Sequence, residues 1–136
     1  MSSLLVFLLC SLILTAPANA DDPFYTDCPS NMNYMRGSAF QANLNALLSS
    51  LTSAAAAASS RFAEKVTGAA PDQTYGLAQC RADINASDCR ACLDASARGV
   101  ATWCPGQKSA TYIYDSCLLR HSTPTRASSA KTTGWW

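Results

Sequence analysis

The spacing of three cysteines constrains this chain more than any other feature. Cys80, Cys89 and Cys92 stand in the run CRADINASDCRAC, with eight residues between the first two and two between the last two. Cys28, Cys104 and Cys117 join them, and a seventh, Cys10, lies in an apolar run near the N-terminus. That run, Leu4 to Leu14, is followed by Pro17 and by Ala18-Asn19-Ala20, a small-residue cleavage pattern directly before Asp21. Residues 1–20 therefore read as a secretory signal peptide, although no Lys or Arg precedes the apolar run. Cleavage removes Cys10 and leaves six cysteines, an even set in a chain bound for an oxidising compartment, where sulfur staples small folds. Six cysteines allow fifteen pairings, and the spacing alone selects none of them.

About 116 residues remain after cleavage, which suits one domain with a modest core. The apolar run is too short to span a bilayer comfortably and no second stretch of spanning length follows, so the mature chain is expected to be soluble, without a transmembrane segment. Ten Lys and Arg against nine Asp and Glu give a net charge of +1, without basic runs. Nothing here indicates nucleic-acid or membrane-surface binding, which concentrates positive charge on one face. The chain has one histidine, His121, no glycine-rich phosphate loop and no nucleophile–histidine–carboxylate spacing. Asp83, Asp88, Asp94 and Asp115 read as solvated surface groups, so neither catalysis nor a cofactor is expected.

Read in order, the chain begins with an extended segment ending near Cys28, marked by Phe24, Tyr25 and two prolines. Ser38 and Gln41 form a capping box, behind which Phe40, Leu44, Leu47, Leu48 and Leu51 recur at helical spacing, and alanines carry the helix to Ala58. Arg61 to Gly68 and Gln73 to Cys80 read as two strands of a hairpin around the turn residues Gly68 to Asp72. In the second, Tyr75, Leu77 and Gln79 alternate with Gly76 and Ala78, which predicts one bulky and one thin face. A second helix is expected from Asp88 as N-cap to Trp103 and Cys104, turning Cys92, Leu93, Ala97 and Val100 inward. Ala110 to Leu119, rich in β-branched and aromatic residues, reads as a strand pair or one kinked strand. Residues 122–136, Ser/Thr-rich and ending in Trp135 and Trp136, read as a disordered tail beyond a domain of residues 21–121. The sum is an α+β domain: about five antiparallel strands on two helices, with three disulfides.

The cysteine run, preceded by Tyr75-Gly76-Leu77-Ala78-Gln79 and followed by Cys104 and Cys117-Leu118-Leu119-Arg120, resembles the ginkbilobin-type domain. This plant salt-stress and antifungal module also builds cysteine-rich repeat secretory proteins and the ectodomains of cysteine-rich receptor-like kinases. The resemblance implies the pairs Cys28–Cys104, Cys80–Cys89 and Cys92–Cys117. It also implies that the last strand normally runs past the Arg120 position, whereas here the tail begins, so that strand is expected to fray. Family members that bind mannose carry asparagine, arginine and glutamate at positions that here hold Pro29, Thr111 and Ser122, none of which matches. Proline offers no side-chain hydrogen-bonding group, so that lectin activity is not expected.

Zinc fits poorly: a structural site takes four ligands, and Cys89-x2-Cys92 has no second short pair to complete it. A redox role for that pair is disfavoured because each cysteine has a resting partner available. Asn85-Ala86-Ser87 is a glycosylation sequon inside the Cys80–Cys89 loop, alternatively a turn of Asn, Ser and Asp leading into the helix. The expected role is a secreted, apoplastic stress or defence module that recognises an extracellular glycan or a protein such as a cell-surface receptor-like kinase, without catalysis. The competing readings are a carbohydrate-binding antifungal protein and a shortened, regulatory or inactive receptor ectodomain.

Overall fold

A computed structural model describes residues 23–29 and 32–124 of the chain. The signal peptide read at residues 1–20 and the tail residues beyond 124, with Trp135 and Trp136, lie outside the described residues. Five strands and two helices follow one another as β1 (Tyr25–Asp27), α1 (Ala39–Ala57), β2 (Phe62–Thr67), β3 (Thr74–Cys80), α2 (Ala86–Trp103), β4 (Ala110–Tyr114) and β5 (Cys117–Ser122). The strands form one antiparallel sheet in the order β1-β4-β5-β3-β2, and both helices pack on the same face of it.

α1 forms where its cap and its apolar period agree. Ser38 Oγ accepts the Gln41 N–H at 3.2 Å, and Gln41 Oε1 accepts the Gly37 N–H at 2.6 Å, so two otherwise orphaned donors are satisfied. Phe40, Leu44, Leu47, Leu48 and Leu51 are all buried, each contributing about 2 kcal/mol of apolar burial. The far end is closed by Arg61, whose backbone sits in the left-handed region at φ 56°. Its guanidinium donates to the carbonyls of Ala56 and Ala58 at 3.0 and 2.8 Å and to that of Ile84 at 3.2 Å. One side chain thus caps α1 electrostatically and ties it to the Cys80–Cys89 loop.

The thin face of β3 is the one turned to the helices. A Cβ on Gly76 would come within 2.7 Å of Leu51 and 2.9 Å of Leu47, so the absence of a side chain is what lets α1 lie close to the sheet. Tyr75, Leu77 and Gln79 consequently point to the opposite face. A similar approach holds α2, where a Cβ on Gly99 would lie 2.3 Å from the Tyr112 ring.

Two boundaries differ from the sequence reading. The N-cap of α2 is Asn85, three residues before Asp88: its side-chain oxygen accepts the Asp88 N–H at 2.8 Å. Asn and Asp are comparable caps, and Ala86 and Ser87 tolerate helical backbone, so the helix starts at the earlier one and Asp88 instead faces the positive end of the helix dipole. Ala97 is only half-buried, while Ser96 and Gly99 join Leu93 and Val100 on the packed face. At the other end of the chain, β5 reaches Ser122, three residues past the Leu119 at which the strand was expected to end, and it is the central strand of the sheet. Ser122 pairs with Tyr75, and the strand is hydrogen-bonded on one side to β3 and on the other to β4, which holds it where a fray was expected.

Disulfides join Cys28 to Cys104, Cys80 to Cys89 and Cys92 to Cys117, with Cα separations of 5.4, 5.6 and 6.1 Å. The first fixes the β1 segment to the end of α2, the second fixes the end of β3 to the first turn of α2, and the third fixes α2 to the start of β5.

Candidate functional site

Because paired residues in an antiparallel ladder share a face, the register defines what the sheet presents away from the helices. One row crosses all five strands: Tyr25, Ile113, Leu118, Gln79 and Phe62. Four of these five are apolar or aromatic. The adjacent row is Asp27, Thr111, Arg120, Leu77 and Glu64, and beyond it lie Ser122, Tyr75 and Val66. Tyr75, Leu77 and Leu118 form an apolar cluster of their own, separate from the main core, with Phe62 and Ile113 packed against it. No described helix covers this face.

The exposed margin of the face is unusually apolar for a surface. Tyr25 is 54% exposed and Val66 55%, on the two edge strands, and Phe24, next to Tyr25, is 74% exposed. The polar groups are arranged among them with few internal partners. Tyr75 donates its phenolic proton to Glu64 Oε2 at 2.6 Å, and burial together with that hydrogen bond pushes its pKa up to about 12. Arg120 Nε donates to Thr111 Oγ1 at 3.0 Å and makes no ion pair among the described residues. The row therefore places a cation in the middle of the sheet and a carboxylate near each edge.

The positions singled out in the sequence fall in and beside this face. Thr111 is buried and its hydroxyl is engaged by Arg120; Ser122 is buried opposite Tyr75; Pro29 follows the Cys28–Cys104 link. Arg120 itself, the central cation of the face, was not singled out by sequence reasoning, although its place after Cys117-Leu118-Leu119 set it on the same face as Leu118. Asn85 is exposed on the helix layer, away from this face. Cys89 and Cys92 belong to two different disulfides, and among the described residues no group of three or more His, Cys, Asp or Glu is placed to hold a metal ion. His121 is 1% exposed on the helix-facing side, opposite Gly76 and Ala110, whose lack of bulk makes room for its ring.

Comparison with known proteins gives the same outline. Residues 27–124 match the salt stress response/antifungal family. The cysteine-rich receptor-like protein kinase 6 of Arabidopsis thaliana is 38% identical over 138 residues, taking in 97% of this chain and 20% of that protein. Among solved structures, the tandem DUF26 ectodomain of the Arabidopsis thaliana cysteine-rich receptor-like protein PDLP8 superposes with a TM-score of 0.69 at 30% identity. That match covers 76% of this chain and 50% of the ectodomain. The corresponding ectodomain of PDLP5 gives 0.68 at 28% identity, over 74% of this chain and 50% of its own. The chain thus spans a fifth of the receptor kinase and half of each solved ectodomain. Among the described residues no helix is long and apolar enough to cross a membrane.

Proposed function

The chain belongs to the salt stress response/antifungal family, and from that premise we propose that it is a secreted, non-catalytic recognition module that docks a protein partner on the uncovered face of its sheet. The observation that carries this reading is the apolar row from Tyr25 to Phe62, which crosses every strand and has no helix over it. In that row Tyr25 is exposed, Ile113 and Phe62 are half-buried and Leu118 is buried, and apolar surface left open on a small domain favours an interaction site. Size then selects the kind of partner. Five strands at about 4.8 Å spacing and six residues at about 3.4 Å rise give a face of roughly 24 by 20 Å, or about 500 Å². A stable protein interface needs about 800 Å² of accessible surface on each side, so a partner must cover the whole face and its exposed margin, which a folded domain does and a short peptide does not.

Charge sets a further requirement on that partner: it must offer an acceptor to Arg120 at the centre of the face and donors to Asp27 and Glu64 at its edges. The solved relatives are tandem ectodomains of which this chain spans half, so a second domain of the same fold, within a receptor-like kinase ectodomain, is the partner this reading favours. The apolar run before Ala18-Asn19-Ala20 supports delivery to the cell exterior, where such ectodomains stand.

The test is co-precipitation of the secreted chain with receptor-like kinase ectodomains, beside size-exclusion chromatography with light scattering for self-association. Tyr25→Glu with Val66→Glu, both at exposed positions, should abolish the complex without unfolding the domain, while Arg98→Glu on the helix layer should leave it intact. Equal binding by all three proteins would remove the sheet face from the argument. Binding of mannose by the parent chain at millimolar concentration, read by calorimetry, would reopen the carbohydrate reading.

A further inference from the structure

Two polar side chains are sealed beneath the helices with part of their hydrogen-bonding capacity unmet. Thr74 is 0% exposed and His121 1%. Thr74 Oγ1 and His121 Nε2 have no hydrogen-bond partner among the described residues, although buried polar groups are nearly always satisfied. The register brings the two together. His121 on β5 is paired with Gly76 on β3, and Thr74 stands two residues before Gly76, so it shares the helix-facing side of that strand and is a diagonal neighbour of His121. Diagonal neighbours on one face have Cα atoms about 7–8 Å apart, within reach of a long side chain. Leu47 and Leu51 of α1 close over Gly76, which screens this part of the sheet from bulk solvent.

The chemistry of the ring fixes what is missing. His121 Nδ1 lies 3.3 Å from the Lys108 carbonyl oxygen. A carbonyl can only accept, so Nδ1 carries the proton, and Nε2 of the neutral imidazole presents a bare lone pair that needs a donor. The Thr74 hydroxyl has one proton to give and two lone pairs to fill. The occupant must therefore donate to a nitrogen, exchange a hydrogen bond with a hydroxyl, and fit between two adjacent strands. A metal ion would find one nitrogen and one neutral hydroxyl, too few ligands and no charge to balance it. An apolar guest would leave both groups unmet. Water, with two donors and two acceptors, satisfies both.

We infer that the domain holds one internal water between β3 and β5, donating to His121 Nε2 and hydrogen-bonded to Thr74 Oγ1, in the way that buried waters serve polar groups a fold cannot pair directly. The water completes a polar chain through the core. The Met32 carbonyl accepts the Lys108 N–H at 3.1 Å, the Lys108 carbonyl accepts His121 Nδ1–H, and the ring passes through the water to Thr74. The segment before α1, the central strand and the start of β3 are thereby linked. This site lies on the opposite side of the sheet from Tyr75 and Leu77 and is independent of the docking reading.

The experiment is NMR of the ¹⁵N,¹³C-labelled, disulfide-intact chain at pH 7. Long-range proton–nitrogen correlations of His121 should show Nδ1 protonated and Nε2 bare. A water-selective rotating-frame Overhauser spectrum should show cross-peaks from water to Hε1 and Hδ2, the carbon-bound ring protons that flank Nε2. Thr74→Val keeps the shape and removes the hydroxyl, and should lose these cross-peaks; Thr74→Ser should keep them. A protonated Nε2, a bare Nε2 without water cross-peaks, which would mean that Thr74 bonds it directly, or cross-peaks undiminished in Thr74→Val would each overturn the inference. The first two are read on the parent chain, so the test survives a Thr74 variant that fails to fold.

Discussion

His121 makes the stability of this domain depend on pH, and the structure gives the size of the effect. The imidazole is buried on the helix-facing side of the central strand, with Nδ1 3.3 Å from the Lys108 carbonyl and Nε2 without a partner among the described residues. Burial lowers its pKa from 6.5 to about 4, against a smaller opposing pull from the Lys108 hydrogen bond. In the unfolded chain the ring titrates near its ordinary value, so between about pH 6.5 and 4 the unfolded state binds a proton that the folded state refuses. Stability from this group is fully present above pH 6.5 and is lost as pH falls through the window. At about 1.4 kcal/mol per pKa unit, the total loss at pH 4 is about 3 kcal/mol, a large share of the margin of a domain this size. Urea unfolding at pH 7, 6, 5 and 4 measures it, with His121→Gln as the control that removes the titration. Carboxylates also titrate toward pH 4, so the informative quantity is the difference between the two proteins. It should shrink by about 1 kcal/mol for each pH unit below 6.5. Parallel pH profiles for parent and variant would refute the reasoning, because the histidine would then bind protons equally in both states.

Further substitutions test the fold's supports. Gly99→Ala puts a methyl 2.3 Å from the Tyr112 ring and should cost about 1–3 kcal/mol by denaturant melts, as overpacking does. Arg61→Ala removes two charge-assisted hydrogen bonds to carbonyls at the end of α1 and a third to the Ile84 carbonyl in the Cys80–Cys89 loop, and should cost about 2–4 kcal/mol, whereas Arg61→Lys should recover only part, since an ammonium lacks the fork. Replacing Cys28 and Cys104 by serine opens a link between residues 76 apart, worth up to about 4–5 kcal/mol, against about 3 for the Cys80–Cys89 link that spans 9. Hydrogen exchange should show β1, a strand of only three residues, losing protection first. Asn85 uses its side-chain oxygen as the α2 cap and leaves its side-chain nitrogen in solvent for a glycan. Glycosidase treatment of plant-made protein should therefore lower its mass, and Asn85→Ala should both abolish that change and cost about 1 kcal/mol from the lost cap.

What could be read from the sequence follows from how local each signal is. The α1 stripe and its Ser38–Gln41 cap are written within a few residues, and the structure keeps both. The alternation in β3 gave its two faces but not which one meets the helices. The helix sits on Gly76 and Ala78, because close packing of a helix on a sheet can favour the side with less to displace. Strand order is a non-local property, so a strand at the end of the domain looked dispensable although it pairs with β3 and β4 and holds the centre of the sheet. The same reason hid the burial of His121: only pairing sets it between Gly76 and Ala110, whose small size makes its pocket. The interaction face was hidden in the same way. Tyr25, Ile113, Leu118 and Phe62 are far apart in sequence, and each alone is an ordinary strand residue. Only the register gathers them into one row, which makes the binding surface a property of the pairing and predicts that a variant shifting the β4–β5 register would lose the face while keeping its composition.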